Sequence, residues 1–308
     1  MTGARLIQLS GVIVDMIYWI DAVPVAGAEA TVHRHALAAG GGFNAMVAAR
    51  RAGLPVTYAA SLGTGPFADI AARALADEGI SILRPQKAHL DQGCCTVLID
   101  AQGERSFIAA EGADGVLTDA DLALVRPAPE DWLLLSGYAL GYENSREALS
   151  RWLRPGLPLV FDPSPLVGAI AAETLASALA AARWISANQV EAATLTGVSD
   201  AAEAAQRLAD GRTGGGAVVR DGANGCYLAF EDQLTHVAGH PVCPVDTNGA
   251  GDAHIGAFIA SLAFGDDPLT AARIANVTAA LSTLKEGPST APTREEALSA
   301  LLAAASVT

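Results

Sequence analysis

The sequence predicts an α/β protein whose mostly parallel central sheet carries helices on both faces. Three observations predict it. From residue 132 onward, short apolar stretches of strand length alternate with longer helical ones. Strands that are apolar throughout are those buried on both faces of a parallel sheet. Two glycine-rich segments, Ala39-Gly-Gly-Gly-Phe-Asn44 and Asp246-Thr-Asn-Gly-Ala-Gly-Asp252, each open an apolar helix. Ligands in open α/β sheets gather beyond the carboxyl ends of the strands, where such segments fall. Two extended pieces, about 14–36 and 92–110, stand outside the alternation.

In chain order, residues 6–14 read as one buried strand, and 14–36 as extended chain around the Val23-Pro-Val-Ala-Gly27 turn. A helix over 42–52 and a strand over 56–60 follow, then a helix near 66–78 and a strand near 80–84. Residues 94–100 and 105–110 flank Ala101-Gln-Gly-Glu104, a hairpin signal. Strand 132–136, helix 145–153, strand 157–162, helix 172–182 and strand 184–186 then alternate. Two helices lead to strand 217–220, and the last 60 residues are mostly helical, at 250–264, 268–284 and 294–305. No Pro- or Ser-rich linker interrupts residues 1–308, so a single domain is expected.

Composition narrows the function. Hydrophobic residues make up 51%, ample for a large core, and the net charge of −14 argues against nucleic acid or an anionic membrane as partner. Only two lysines occur, Lys87 and Lys285. Cys94, Cys95, Cys226 and Cys243 lack metal-type spacing and read as reduced thiols of a cytoplasmic protein. No signal peptide and no apolar run long enough to span a bilayer is expected.

Chemistry concentrates in the two glycine segments. Gly249, Ala250 and Gly251 leave backbone N–H groups bare at a helix start, where partial positive charge favours anions and phosphoryl groups above all. Asp252 beside them reads either as a helix cap or as a general base next to a transferring phosphoryl group. The earlier glycine run lets a ligand approach the backbone closely, and Asn44 offers both a donor and an acceptor to a hydroxyl-rich ligand. Rival motifs are missing: no P-loop, no Gly-x-Ser-x-Gly elbow, no His-Glu-x-x-His, and no dinucleotide fingerprint after the first strand. His33 with His35 and His236 with His240 have no third ligand nearby, so neither pair reads as a metal site.

Together the two segments, in this order and about 200 residues apart, resemble the signatures of the ribokinase (PfkB) family of carbohydrate kinases, over nearly the whole chain. The resemblance implies a three-layer α/β/α ribokinase-like fold with a small β lid built from the pieces near 14–36 and 92–110. It implies ATP-dependent transfer of the γ-phosphoryl group to a hydroxyl of a small neutral polyhydroxyl substrate, most simply a sugar. Nucleoside and sugar-phosphate kinases are the alternatives. Catalysis would fall to Asp252 with Gly249, Ala250 and Gly251. Substrate would meet Asp15, Gly40, Gly41, Gly42, Asn44 and Arg105. The nucleotide would meet Asn188, Glu191, Arg220, Gly222, Gly225, Thr247 and Asn276. Mg2+ would be organised by Glu191 through water, as that ion keeps its hydration, and a monovalent cation such as K+ would take Asp246 as a ligand.

Alternatives remain at single residues. Asn188-Gln-Val-Glu191 is also an ordinary pair of polar residues one helical turn apart, and Asn224-Gly225 an ordinary hairpin turn. Two departures from the family pattern are Ala39, where a glycine is usual, and His254, where an aromatic residue is usual. Asp162-Pro-Ser-Pro165 lacks the arginine that would suit a sugar acid. Arg34 and Arg105 are the only arginines or lysines in the lid pieces. Tyr18 and Trp19 could stack on a base or pack within the lid. Ile13, Met16, Tyr18 and Trp19 would leave an apolar lid face or edge, which predicts a homodimer joined through the lids.

Overall fold

The structure, a computed structural model, describes residues 3–305. Its strands are β1 (Leu6–Gln8), β2 (Val12–Ile20), β3 (Val32–Gly41), β4 (Val56–Tyr58), β5 (Ser81–Ile82), β6 (Cys94–Ile99) and β7 (Arg105–Ala110). Then come β8 (Trp132–Ser136), β9 (Leu159–Asp162), β10 (Trp184–Asn188), β11 (Gly216–Arg220), β12 (Gly225–Phe230) and β13 (Gln233–Ala238). Nine form the central sheet, in the order β13-β12-β11-β10-β9-β8-β1-β4-β5. Its pairs are parallel except β11 with β12 and β12 with β13.

Alternation along each strand divides the core in two. Leu6, Leu134, Val160, Trp184 and Val218 point to one face, against the helices Phe43–Arg51, Ala250–Ala263 and Pro268–Ser282. Their neighbours Ile7, Leu133, Leu159, Ile185 and Val219 point to the other, against Glu143–Trp152, Ala172–Ala181 and Ala201–Ala209. Successive strand residues face opposite sides, so both faces of this sheet need apolar residues at every position.

The lid is a separate four-stranded sheet in the order β3-β2-β6-β7. The single strand expected over 6–14 is two strands in two sheets, separated by a break at Leu9–Gly11. There the Ser10 hydroxyl takes the N–H of Ser136, 2.6 Å away, and the chain leaves the central sheet for the lid. The extended piece also runs beyond residue 36: β3 continues to Gly41, so the glycine run forms its end. The hairpin β12–β13 and the short helices Asp119–Ala123 and Gly137–Gly141 are additions to the sequence reading. No helix among the described residues is long and apolar enough to cross a membrane.

The faces of the lid follow from its register. Asp15 pairs with Ala38 and Cys95, and Trp19 with Arg34 and Ile99, which in turn faces Arg105. Paired residues share a face, so Ile13, Asp15, Ile17, Trp19, Arg34 and Arg105 line one side. Met16, Tyr18, Leu37, Leu98 and Ile108 line the other, with Leu37 54% and Ile108 64% exposed. Of the four residues expected on a free apolar face, only Met16 and Tyr18 lie on this outer side.

Candidate active site

The helices Phe43–Arg51 and Ala250–Ala263 start from Gly42 and Gly249 and lie against one another. Gly256 permits it: a Cβ there would stand 2.3 Å from the Ala45 carbonyl oxygen. This close approach brings the two glycine segments together. The Asn44 amide donates to Asp252 Oδ2 at 3.1 Å and its oxygen accepts from the Ser289 hydroxyl at 2.8 Å. Gly249 is left-handed, with φ of 74°. The N–H groups of Gly249, Gly251 and Asp252 have no hydrogen-bond partner among the described residues. Three bare donors and a carboxylate therefore belong to one helix start.

Burial pushes the Asp252 carboxyl up to about 7. The Asp162 charge pushes the same way, and the Asn44 hydrogen bond and the Arg220 guanidinium oppose it. A carboxylate so placed holds a proton about half the time near neutral pH, which suits a base.

Asp15 faces the same cleft from the lid. A Cβ on Gly40 would fall 2.1 Å from Asp15 Oδ2, so glycine alone fits beside this carboxylate. Burial raises Asp15 to about 6, and no donor among the described residues reaches it. An acceptor that is half-buried and unpaired is what hydroxyl donors of a ligand would complete. Gly41 and Gly42 run back against Gly11, whose carbonyl accepts the Gly42 N–H at 2.9 Å, carrying the chain from lid to helix.

On the other side, β10 and β11 end in register at Asn188 and Arg220. Asn188 and Glu191 form a reciprocal cap of the helix Gln189–Thr196. Asn188 Oδ1 accepts the Glu191 N–H, and the Glu191 carboxylate accepts the Asn188 N–H and side-chain amide, all at 2.8 Å. The pair is thus a capping box rather than two surface residues. Arg220 lies 3.5 Å from Glu191, donates to the Ser186 hydroxyl at 2.9 Å, and stands against Gly251. Burial and Asp162 hold the Glu191 carboxyl above the usual range. Asp162, Glu191 and Asp252 thus share one guanidinium, an excess of negative charge that fits a hydrated divalent cation. Both Glu191 oxygens already accept hydrogen bonds, which suits contact through water better than direct ligation. Among the described residues no three such groups stand close enough to hold a metal directly.

The turn Gly222–Asn224 links β11 to β12, so Asn224-Gly225 is indeed a turn between antiparallel strands. Gly222 has open space around it. The Thr247 carbonyl accepts the Ala250 N–H at 3.3 Å, so Ala250, expected to offer a bare N–H, is not one of the free donors: the first turn of the helix closes on it.

Three expected site residues are placed otherwise. Asn276 is buried. Its amide donates to the Val237 and Ala238 carbonyls and its oxygen meets His254 Nε2 at 3.1 Å, so it fastens the end of β13 instead of facing the cleft. His254 itself is a packing residue stacked on Phe258, kept neutral by burial. Arg105 does not reach the neighbourhood of Asp15. It sits four register positions along the lid and is ion-paired with Asp246. Asp246 in turn accepts the N–H of Asn248 at 2.8 Å and of Gly287 at 3.0 Å. Three donors already meet this carboxylate, and one of them is the Arg105 guanidinium that balances its charge, which does not fit the expected cation ligand.

Sequence reasoning passed over Asp162 as a member of this cluster, Ser289 behind Asn44, and Tyr138. Tyr138 stands near Asp162, Asp252 and Glu191, and burial and those charges raise its phenol. Asp162 had a legible signal, since it is a carboxylate at the carboxyl end of a parallel strand.

The sequence model of the pfkB family of carbohydrate kinases matches residues 12–295. The chain is similar to the uncharacterized sugar kinase YegV of Escherichia coli K12, 29% identical over 303 residues, covering 96% of this chain and 94% of that protein. It is similar also to a fructokinase of Vibrio alginolyticus, 31% identical, covering 83% of this chain and 88% of the relative. Its fold matches a ribokinase of Thermotoga maritima, TM-score 0.80 at 22% identity, over 97% of this chain and 99% of the other. It also matches Arabidopsis thaliana ribokinase complexed with ribose and ATP, TM-score 0.77 at 22% identity, over 98% and 99%.

Proposed function

This chain belongs to the pfkB family of carbohydrate kinases, and from that premise we propose that it moves the γ-phosphoryl group of ATP to a hydroxyl of a neutral sugar. The observation that carries the reading is Asp252, fixed by Asn44 at a helix start that presents three unpaired N–H groups. Asp252 takes the proton of the attacking hydroxyl. The O–H bond breaks as the new O–P bond forms and the bond from phosphorus to ADP opens. The N–H groups of Gly249, Gly251 and Asp252 face the oxygens on which charge develops. One preorganised donor of this kind is worth roughly 3 kcal/mol in comparable sites. Mg2+ would be held through water by Glu191, with Asp162 adding negative charge, and would supply charge neutralisation on the phosphates. Arg220, Gly222 and Thr247 would line the nucleotide side, while Gly225, buried against residues 237–239, shapes the turn behind them.

The choice of a neutral substrate rests on the lid. Both of its arginines are already paired, Arg34 with Glu286 and Arg105 with Asp246. Neither is left for a substrate phosphate, and the Asp15 carboxylate would repel one. Base stacking, which would favour a nucleoside, is poorly supplied: the Arg34 guanidinium, 3.6 Å from the ring centre, takes one face of Trp19, and Tyr18 lies on the outer face. The outer face, with Met16, Tyr18, Leu37, Leu98 and Ile108, would join two copies into a homodimer. An ADP-release screen over free sugars, sugar phosphates and nucleosides tests the substrate class. A free sugar should give the highest kcat/KM, and a phosphorylated sugar preferred about tenfold would overturn the reading.

A further inference from the structure

Two ion pairs cross from the lid to the loops around the candidate active site, and they share one seam. Arg34 on β3 pairs with Glu286, and Arg105 on β7 pairs with Asp246. Glu286 adjoins Gly287, whose N–H donates to Asp246 Oδ2. Asp246 Oδ1 accepts from Asn248, the residue before the Gly249 helix cap, and from Arg105. Asp246 therefore ties three segments together: the loop that opens the catalytic helix, the loop at 284–289, and the tip of the lid. The 284–289 loop also supplies Ser289 to Asn44, and Asn44 supplies its amide to Asp252. Hydrogen bonds, joined through the backbone between Gly287 and Ser289, thus lead from Arg105 to the proposed base.

A carboxylate as enclosed as Asp246, its side chain 11% exposed, is stabilised by a positive partner. A monovalent cation would need oxygen lone pairs directed into a common cavity, yet both Asp246 oxygens face N–H donors. A cation on the Arg105 side would also meet a guanidinium carrying the same charge. Burial pushes Asp246 upward, but the N–H groups of Asn248 and Gly287 together with Arg105 outweigh it and hold the carboxyl below its usual range. The charge of the junction is complete within the chain.

We propose that Arg105 is the built-in counter-cation of Asp246, a positioning residue that makes this enzyme independent of added monovalent cations. It acts by holding the 246–248 and 287–289 loops, and through them the Asn44–Asp252 pair, in register with the lid. The inference rests on the kinase reading for its turnover measurement, and a second readout is independent of it.

The experiment compares the wild type with Arg105→Ala and Arg105→Lys in choline, K+ and dilute guanidinium buffers of equal ionic strength. Turnover of the wild type should be the same in choline and K+. Arg105→Ala should lose about tenfold or more in kcat in choline, the scale of a lost hydrogen bond to a charged group. K+ or guanidinium should restore much of it, and Arg105→Lys should retain most of it. Thermal unfolding supplies the readout that needs no substrate: K+ in place of choline should raise the Tm of Arg105→Ala and leave that of the wild type unchanged. If the wild type phosphorylates no sugar, the kinase reading fails while the unfolding comparison still decides this proposal. Severalfold activation or stabilisation of the wild type by K+ would overturn it. So would an Arg105→Ala protein that matches the wild type in choline, or one that stays folded and is not restored by either cation.

Discussion

Replacing Asn44 by leucine should move the acid limb of the pH–rate profile to higher pH. Asp252 works as a base only when ionised, so activity lies on the alkaline side of its pKa. With that pKa at about 7, roughly half the Asp252 carboxyls are ionised at neutral pH. The Asn44 amide, 3.1 Å away, stabilises the charged form and so holds the pKa down. A hydrogen bond to a charged group is worth about 1.5–3 kcal/mol, and one pKa unit corresponds to about 1.4 kcal/mol. Removing it should therefore raise the pKa by about one to two units. Ionisation at neutral pH then falls from about a half to roughly 1–9%, which lowers kcat about five- to fiftyfold, with recovery in alkaline buffer. The assay is ADP release at saturating sugar and ATP across about pH 5.5 to 9.5, which removes the effect of Asn44 on substrate binding. A kcat that falls equally at every pH, or a limb that shifts to lower pH, would refute the reasoning.

Asp15→Ala should raise KM for the sugar about 10–100-fold with little change in kcat, as the lost hydrogen bonds hold the substrate in ground and transition state alike. Steady-state kinetics checks this, and a loss confined to kcat would contradict it. The wild type should sediment as a dimer at micromolar concentration and Ile108→Arg as a monomer, because Ile108 stands 64% exposed in the outer lid face. A monomeric wild type, or a variant that remains dimeric, would remove the lid interface from the account.

What the sequence makes legible is local. Both glycine segments name themselves because the close approach and the bare N–H groups depend on consecutive residues. The parallel sheet shows in apolar runs such as Trp132–Ser136, since burial on both faces leaves no alternation to misread. The lid strands show equally well, and the hairpin at 94–110 lies where its turn residues put it. The break before β2 is invisible to periodicity, because apolar residues continue on both sides of Ser10 while the chain changes sheets. Long-range pairing is hidden as well. Arg105 and Asp246 are 141 positions apart, and only the folded lid brings the guanidinium to that carboxylate. Asn276 shows the limit of carrying a role over by position: it belongs to a helix whose buried side faces β13, so its amide is consumed by the Val237 and Ala238 carbonyls. Asp162 joins the cluster only because β9 lies beside β10 in the sheet, an adjacency set by topology.

The central claim is that Asp252 is the base of a phosphoryl transfer to a sugar hydroxyl. It is tested most directly by measuring ADP release with the preferred sugar for the wild type and Asp252→Asn, alongside ATP binding by calorimetry. Loss of a positioned general base should lower kcat by roughly 10²–10⁴-fold while ATP affinity and thermal stability stay near those of the wild type. Turnover of the folded variant within a few-fold of the wild type would contradict the account.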